Sequence, residues 1–148
     1  MNIWRQTLAA LLLLGAAGAA LAIDYRSVNV PAAILYDSPS QQGKKLYLIK
    51  AQTPVEVVVR LEGWFKVRDA EGSLAWIEAG NLADRRMLVV TAPRAAMRQS
   101  GNVEAPLVVE LDKWVAVEFI ESASPGWAKV RHADGATGYV HSTQVWGL

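Results

Sequence analysis

The chain contains no cysteine. Disulfides, cysteine-ligated zinc sites, thiol nucleophiles and a lipid anchor carried on a cysteine are all excluded. Small exported domains are often stapled by disulfides because their cores are marginal. This chain must rely on burial, or on packing one unit against another. A basic excess is also lacking: 148 residues carry 15 Lys plus Arg against 14 Asp plus Glu. Nucleic acid requires a basic footprint, and Lys44-Lys45 and Arg85-Arg86 read as solvated surface charge. Only two histidines occur, His132 and His141. They do not supply the three or four convergent ligands of a metal site. No G-x-S-x-G elbow surrounds any serine. Neither a catalytic residue, nor a metal, nor a cofactor is expected.

A long apolar run occurs once, at the N-terminus. "MNIWRQTLAALLLLGAAGAALA" has a short leading region with Arg5, an apolar stretch, and the small-residue end Ala20-Leu21-Ala22. That is the pattern of a secretory signal peptide. The uncharged run from Leu8 to Ala22 has 15 residues, fewer than the roughly 18–20 that span a bilayer. Cleavage is expected between Ala22 and Ile23, delivering the rest to the periplasm or the extracellular space without a stable membrane span. Without Arg5, the remaining chain balances 14 basic against 14 acidic residues.

What the remainder does contain is a repeat. "GWFKVRDAEGSLAWIEAGNL" at 63–82 aligns without a gap to "GWAKVRHADGATGYVHSTQV" at 126–145, sharing seven of twenty identities. The starts correspond as well, "VNVPAAILYDS" against "VTAPRAAMRQS". The registers drift only in the middle, where an insertion in a turn is tolerated. Two units are expected, 23–84 and 85–148.

Local signals are strands throughout. "VEVVV" and "VAVEF" are β-branched or aromatic runs bounded by turn residues. Alternating runs flank Glu-Gly in one copy and Asp-Gly in the other, and Asp-Gly is a strong hairpin signal. Pro31, Pro54, Pro93 and Pro106 punctuate strand starts or loops, where a missing amide donor does least harm. "DSPSQQGKK" at 37–45 reads as a loop. Each unit is expected to hold about five short strands curled into a small barrel, which lets one sheet bury its own inner face.

The repeated stretches resemble the last strands and terminal turn of bacterial SH3-like domains. There, Gly-Trp opens one strand and Gly-(Tyr/Trp)-Val the next. "ILYDSPS" is similar to the start of the same pattern. The resemblance spans 23–148 and implies an all-β fold of two tandem SH3-like barrels. It also implies binding of cell-wall peptidoglycan or an envelope protein or peptide. Relative to eukaryotic SH3 domains, Glu78 and His141 stand at the groove proline, and Asn81 and Gln144 at the last tyrosine. "AAMRQS" offers no aromatic where the first unit has Tyr36.

Strand alternation sorts the hairpin side chains. Phe65/Ala128, Val67/Val130, Ala75/Gly138 and Ile77/Val140 share the core face. Trp64/Trp127, Lys66/Lys129, Arg68/Arg131 and Trp76/Tyr139 point outward. With Tyr36, these outward residues form the candidate ligand platform: rings to stack and cations to pair with a carboxylate. The plainer account is an aromatic pair that stabilises the hairpin, or an interface between the units. The short linker "ADRRMLVVT" is expected to fix the units relative to each other. The leading functional expectation is a non-catalytic exported binding protein. The alternative is a structural or regulatory subunit of a separate envelope hydrolase.

Overall fold

The computed structural model describes residues 21–148. The export signal expected at 1–22 lies almost entirely outside the described residues. The first unit runs β1 (Tyr25–Val28), β2 (Ala32–Tyr36), β3 (Lys45–Lys50), β4 (Pro54–Leu61), β5 (Trp64–Arg68) and β6 (Leu74–Glu78). A 3-10 turn (Ala79–Asn81) then leads into β7 (Leu82–Ala83). The second unit repeats the plan with β8 (Met87–Val90), β9 (Arg94–Arg98), β10 (Leu107–Asp112), β11 (Ala116–Ser122), β12 (Trp127–Arg131) and β13 (Thr137–His141). Its 3-10 turn (Ser142–Gln144) precedes β14 (Val145–Trp146).

Sheet order is β3-β2-β6-β5-β4-β1-β7 in one unit and β10-β9-β13-β12-β11-β8-β14 in the other. The pairings are antiparallel, so the fold is two tandem all-β units of one topology. Each has seven strands rather than the expected five. The extra pieces come from a break at Asn29–Pro31, which divides β1 from β2, and from the two-residue strand after the 3-10 turn. Neither leaves a periodic signal. The four prolines behave as expected: Pro54 opens β4, and Pro31, Pro93 and Pro106 immediately precede β2, β9 and β10.

Each sheet curls around its own core. Val28, Leu35, Val55, Val67 and Ile77 fill the first, and Leu88, Met97, Val117, Val130 and Val140 the second. A register shift between Val57 and Val59 recurs between Phe119 and Glu121. Such bulges bend a strand and increase its twist, which helps a small sheet wrap. The Gly-Trp opening each copy of the hairpin also has a backbone reason. Gly63 and Gly126 sit at φ +75° and +83°, a region that side chains disfavour.

The units are joined closely. Met87, Leu88, Val89 and Val90 of β8 are all buried, although a strand with one wet face would alternate. Ser27, buried in the first unit, donates its Oγ hydrogen to the Arg85 carbonyl at 2.7 Å. No helix among the described residues is long and apolar enough to cross a membrane.

Candidate functional site

Hairpin β5–β6 pairs Trp64 with Glu78, Lys66 with Trp76 and Arg68 with Leu74. These pairs share the outer face, because the intervening Val67, Ala75 and Ile77 are buried. Tyr36 of β2 pairs with Trp76, so Tyr36, Trp76 and Lys66 make one row across three strands. Lys66 Nζ lies 6.0 Å from the Trp76 ring centroid. Trp64 meets the Tyr36 ring edge to face, with centroids 5.4 Å apart.

Exposure separates the members of this row. Trp64, Lys66 and Trp76 are half-buried. Tyr36 is only 5% exposed, so its ring braces Trp64 and offers little open face of its own. Arg68 Nη1 donates to Glu56 Oε2 at 2.9 Å across the neighbouring strand. The first unit therefore presents two aromatic rings and one ammonium, while its guanidinium is engaged within the sheet.

The second unit repeats this with changes. Trp127 pairs with His141, Lys129 with Tyr139 and Arg131 with Thr137. Arg131 Nη1 donates to Glu118 Oε2 at 3.3 Å, as Arg68 does to Glu56. Trp127 packs edge to face on His141, centroids 5.1 Å apart. His141 Nδ1 in turn accepts from the Thr143 amide at 3.3 Å at the start of the 3-10 turn. Both tryptophans thus have a ring partner, of different chemistry in each unit.

Sequence reasoning did not single out Arg98. It pairs with Tyr139, the place Tyr36 holds in the first unit, and its Nη1 donates to the Ala105 carbonyl at 2.8 Å. Arg98, Val103, Trp127, His141 and Gln144 line a depression of about 250 Å³. The signal was present in the alignment of "ILYDS" with "AMRQS", where a cation replaces an aromatic. The arrangement suits rings stacking on a flat or apolar ligand surface, with an ammonium or guanidinium beside them for a polar end.

A family model described as "bacterial SH3 domain" matches residues 29–84 and again 91–147. No curated protein matches the chain. Among solved structures, NlpC1 from Trichomonas vaginalis is 14% identical with a TM-score of 0.40, covering 90% of this chain and 49% of that one. NlpC2 from the same organism is 12% identical with a TM-score of 0.39, covering 84% and 48%. An NlpC/P60 family protein from Bacillus cereus is 14% identical with a TM-score of 0.38, covering 82% and 55%. The chain spans about half the length of each.

Proposed function

Since the chain belongs to the bacterial SH3 domain family, with both repeats matched, we propose that it is an exported, non-catalytic binding protein. Its two units, taken as 23–84 and 85–148, recognise cell-wall peptidoglycan or an envelope protein. The observation that carries this reading is the outer face of the repeated hairpin. Trp64, Lys66 and Trp76 in one unit, and Trp127, Lys129 and Tyr139 in the other, stand half-buried around a lysine. Half-buried rings can give their remaining face to a sugar or peptide, and the lysine can pair with a carboxylate. The periplasm or extracellular space is the compartment that suits such a ligand.

Cosedimentation with purified cell-wall sacculi tests the proposal. Binding should be retained by the wild-type chain and weakened by Trp76→Ala together with Tyr139→Ala at unchanged circular dichroism. A chain that stays in the supernatant at every sacculus concentration would reject peptidoglycan as the ligand.

A second reading, a structural or regulatory subunit of a separate envelope hydrolase, is favoured by the sheet edges. β3 and β10 terminate their sheets, and Leu46, Leu48 and Leu107 on them are 42%, 66% and 49% exposed. An open apolar edge can accept a strand from another protein. Crosslinking from position 48 in envelope extract should then capture a hydrolase. Crosslinks to other proteins only would reject that reading.

A further inference from the structure

Packing of the two units leaves two clefts at their junction that share a pair of parts with the units exchanged, a hairpin turn and the corner residue facing it, while their remaining walls differ. In one cleft, the β5–β6 turn of the first unit faces Trp114 of the second. In the other, the β12–β13 turn of the second unit faces Gln52 of the first. Gln52 and Trp114 occupy the same corner of the fold: both have positive φ, 64° and 71°. Their amides donate to the Val28 and Val90 carbonyls, each at 2.8 Å. The two places are equivalent in backbone and opposite in chemistry.

The cleft facing Gln52, of about 170 Å³, is lined by Arg85, Arg131, His132 and Glu118. Glu118 is held by both guanidiniums, at 3.2 Å from Arg85 and 3.3 Å from Arg131. The cleft facing Trp114, of about 240 Å³, has two rings, Tyr47 and Trp114, and apolar wall from Leu48 and Val89. Its only charged lining residues are Asp69 and Glu71. Tyr47 donates its hydroxyl hydrogen to Asp69 Oδ2 at 2.8 Å. The Glu71 and Ser73 amides donate to Asp69 Oδ1. Burial, with the Asp69 carboxylate beside it, raises the Tyr47 phenol above its ordinary pKa, so it remains the donor that fixes this wall.

We infer that the cleft between Tyr47, Asp69, Glu71 and Trp114 binds a primary ammonium carried on an aliphatic stem, as in a lysine side chain. An ammonium is attracted to a tryptophan face, and here two carboxylates, opposite in charge to it, line the same cleft. Leu48 and Val89 give the stem an apolar surface. The exposed Lys113 already has its Nζ 4.7 Å from the Trp114 centroid, which shows the ring within reach of an ammonium and means that the ligand's ammonium competes with Lys113 for it. A neutral ligand would gain nothing from the charge of these carboxylates, and an anionic one would be repelled by it. The opposite cleft, with its guanidiniums, would repel the ammonium.

The test follows the Trp114 indole and Val89 amide resonances of the full chain during titration with Nα-acetyl-lysine methylamide. The Nε-acetylated analogue, which keeps the stem but not the charge, is the control. A saturable shift is expected with the amine, with affinity about tenfold weaker for the acetylated analogue. Glu71→Gln, an exposed position, should weaken the amine several-fold. Trp114→Gln, which installs the residue the first unit uses at this corner, should remove the saturable shift at Val89. No saturable shift, equal affinity for both probes, or an unchanged affinity in Glu71→Gln would each overturn the inference.

Discussion

Tyr25 of the first unit and Trp146 of the second meet edge to face across the junction, ring centroids 5.1 Å apart and planes at 83°. Arg86 adds to the contact, its guanidinium 5.5 Å from the Tyr25 centroid and 5.1 Å from that of Phe119. Its Nη2 donates to the Gly147 carbonyl at 2.8 Å. Residues from both ends of the described chain thus close over the linker. A double-mutant cycle on Tyr25→Ala and Trp146→Ala should give a coupling of about 0.5–1.5 kcal/mol. The wild-type chain should melt in one transition. Additive effects, with two separate transitions, would show that the units are energetically independent.

The two glycines that open the repeated hairpins should respond unequally to alanine. Both have positive φ, so Gly63→Ala and Gly126→Ala should each lose about 1–2 kcal/mol from backbone strain. At Gly63 a Cβ meets nothing within 4 Å, whereas at Gly126 it comes within 3.1 Å of His141 Nε2. Gly126→Ala should therefore cost more, and chemical denaturation of the pair measures the difference. Equal losses would mean that His141 moves aside freely.

The fold was legible because the sequence repeats itself and marks its strand starts with proline. Core exchanges between the copies follow the same logic. Where the first unit has Leu35 and Ala75, the second has Met97 and Gly138, and a Cβ at Gly138 would lie 2.6 Å from Met97 Cγ. Alternation correctly divided the hairpin into inner and outer faces, but it carries no information on what lies over a face. Tyr36 is on the outer face and still buried, and Arg68 and Arg131 are drawn to carboxylates on the next strand. The junction clefts depend on how two units dock, which no local pattern encodes. In sequence Trp114 aligns with Pro54, and its equivalence to Gln52 appears only in the left-handed backbone that the two residues share.

Acid should weaken the second unit through Glu118, which ties Arg85 at its start to β11 and β12. The Arg85 hydrogen bond, opposed by partial burial and reinforced by the charges of Arg85 and Arg131, holds its pKa below the ordinary 4.5. A depressed folded pKa means stability that is present above 4.5 and lost as pH falls through the lowered value. Glu118→Gln should accordingly lower the melting temperature at neutral pH, and the gap from wild type should close as pH falls below about 4. A gap that stays constant down to about pH 2 would show that the carboxylate's charge is not what stabilises the second unit here.

The tryptophans of the two hairpins give the sharpest test of whether the outer face is for packing or for ligand. Each is half-buried, so replacement by alanine should cost less than the roughly 3–5 kcal/mol of a fully buried ring, on the order of 2 kcal/mol. Trp64→Ala uncovers the otherwise buried Tyr36, and Trp127→Ala removes the ring that packs on His141. Stability alone therefore does not separate the two roles, and a phenylalanine replacement does. Phe keeps an edge-to-face partner for Tyr36 but presents a smaller stacking surface. Trp64→Phe should melt within about 1 kcal/mol of wild type while losing several-fold in sacculus binding. Trp127→Phe should change binding less, because its unit has Arg98 where the first has the bracing Tyr36. If both phenylalanine variants bind as wild type does, the Gly-Trp motif belongs to hairpin packing, and the ligand must be sought on Trp76 and Tyr139.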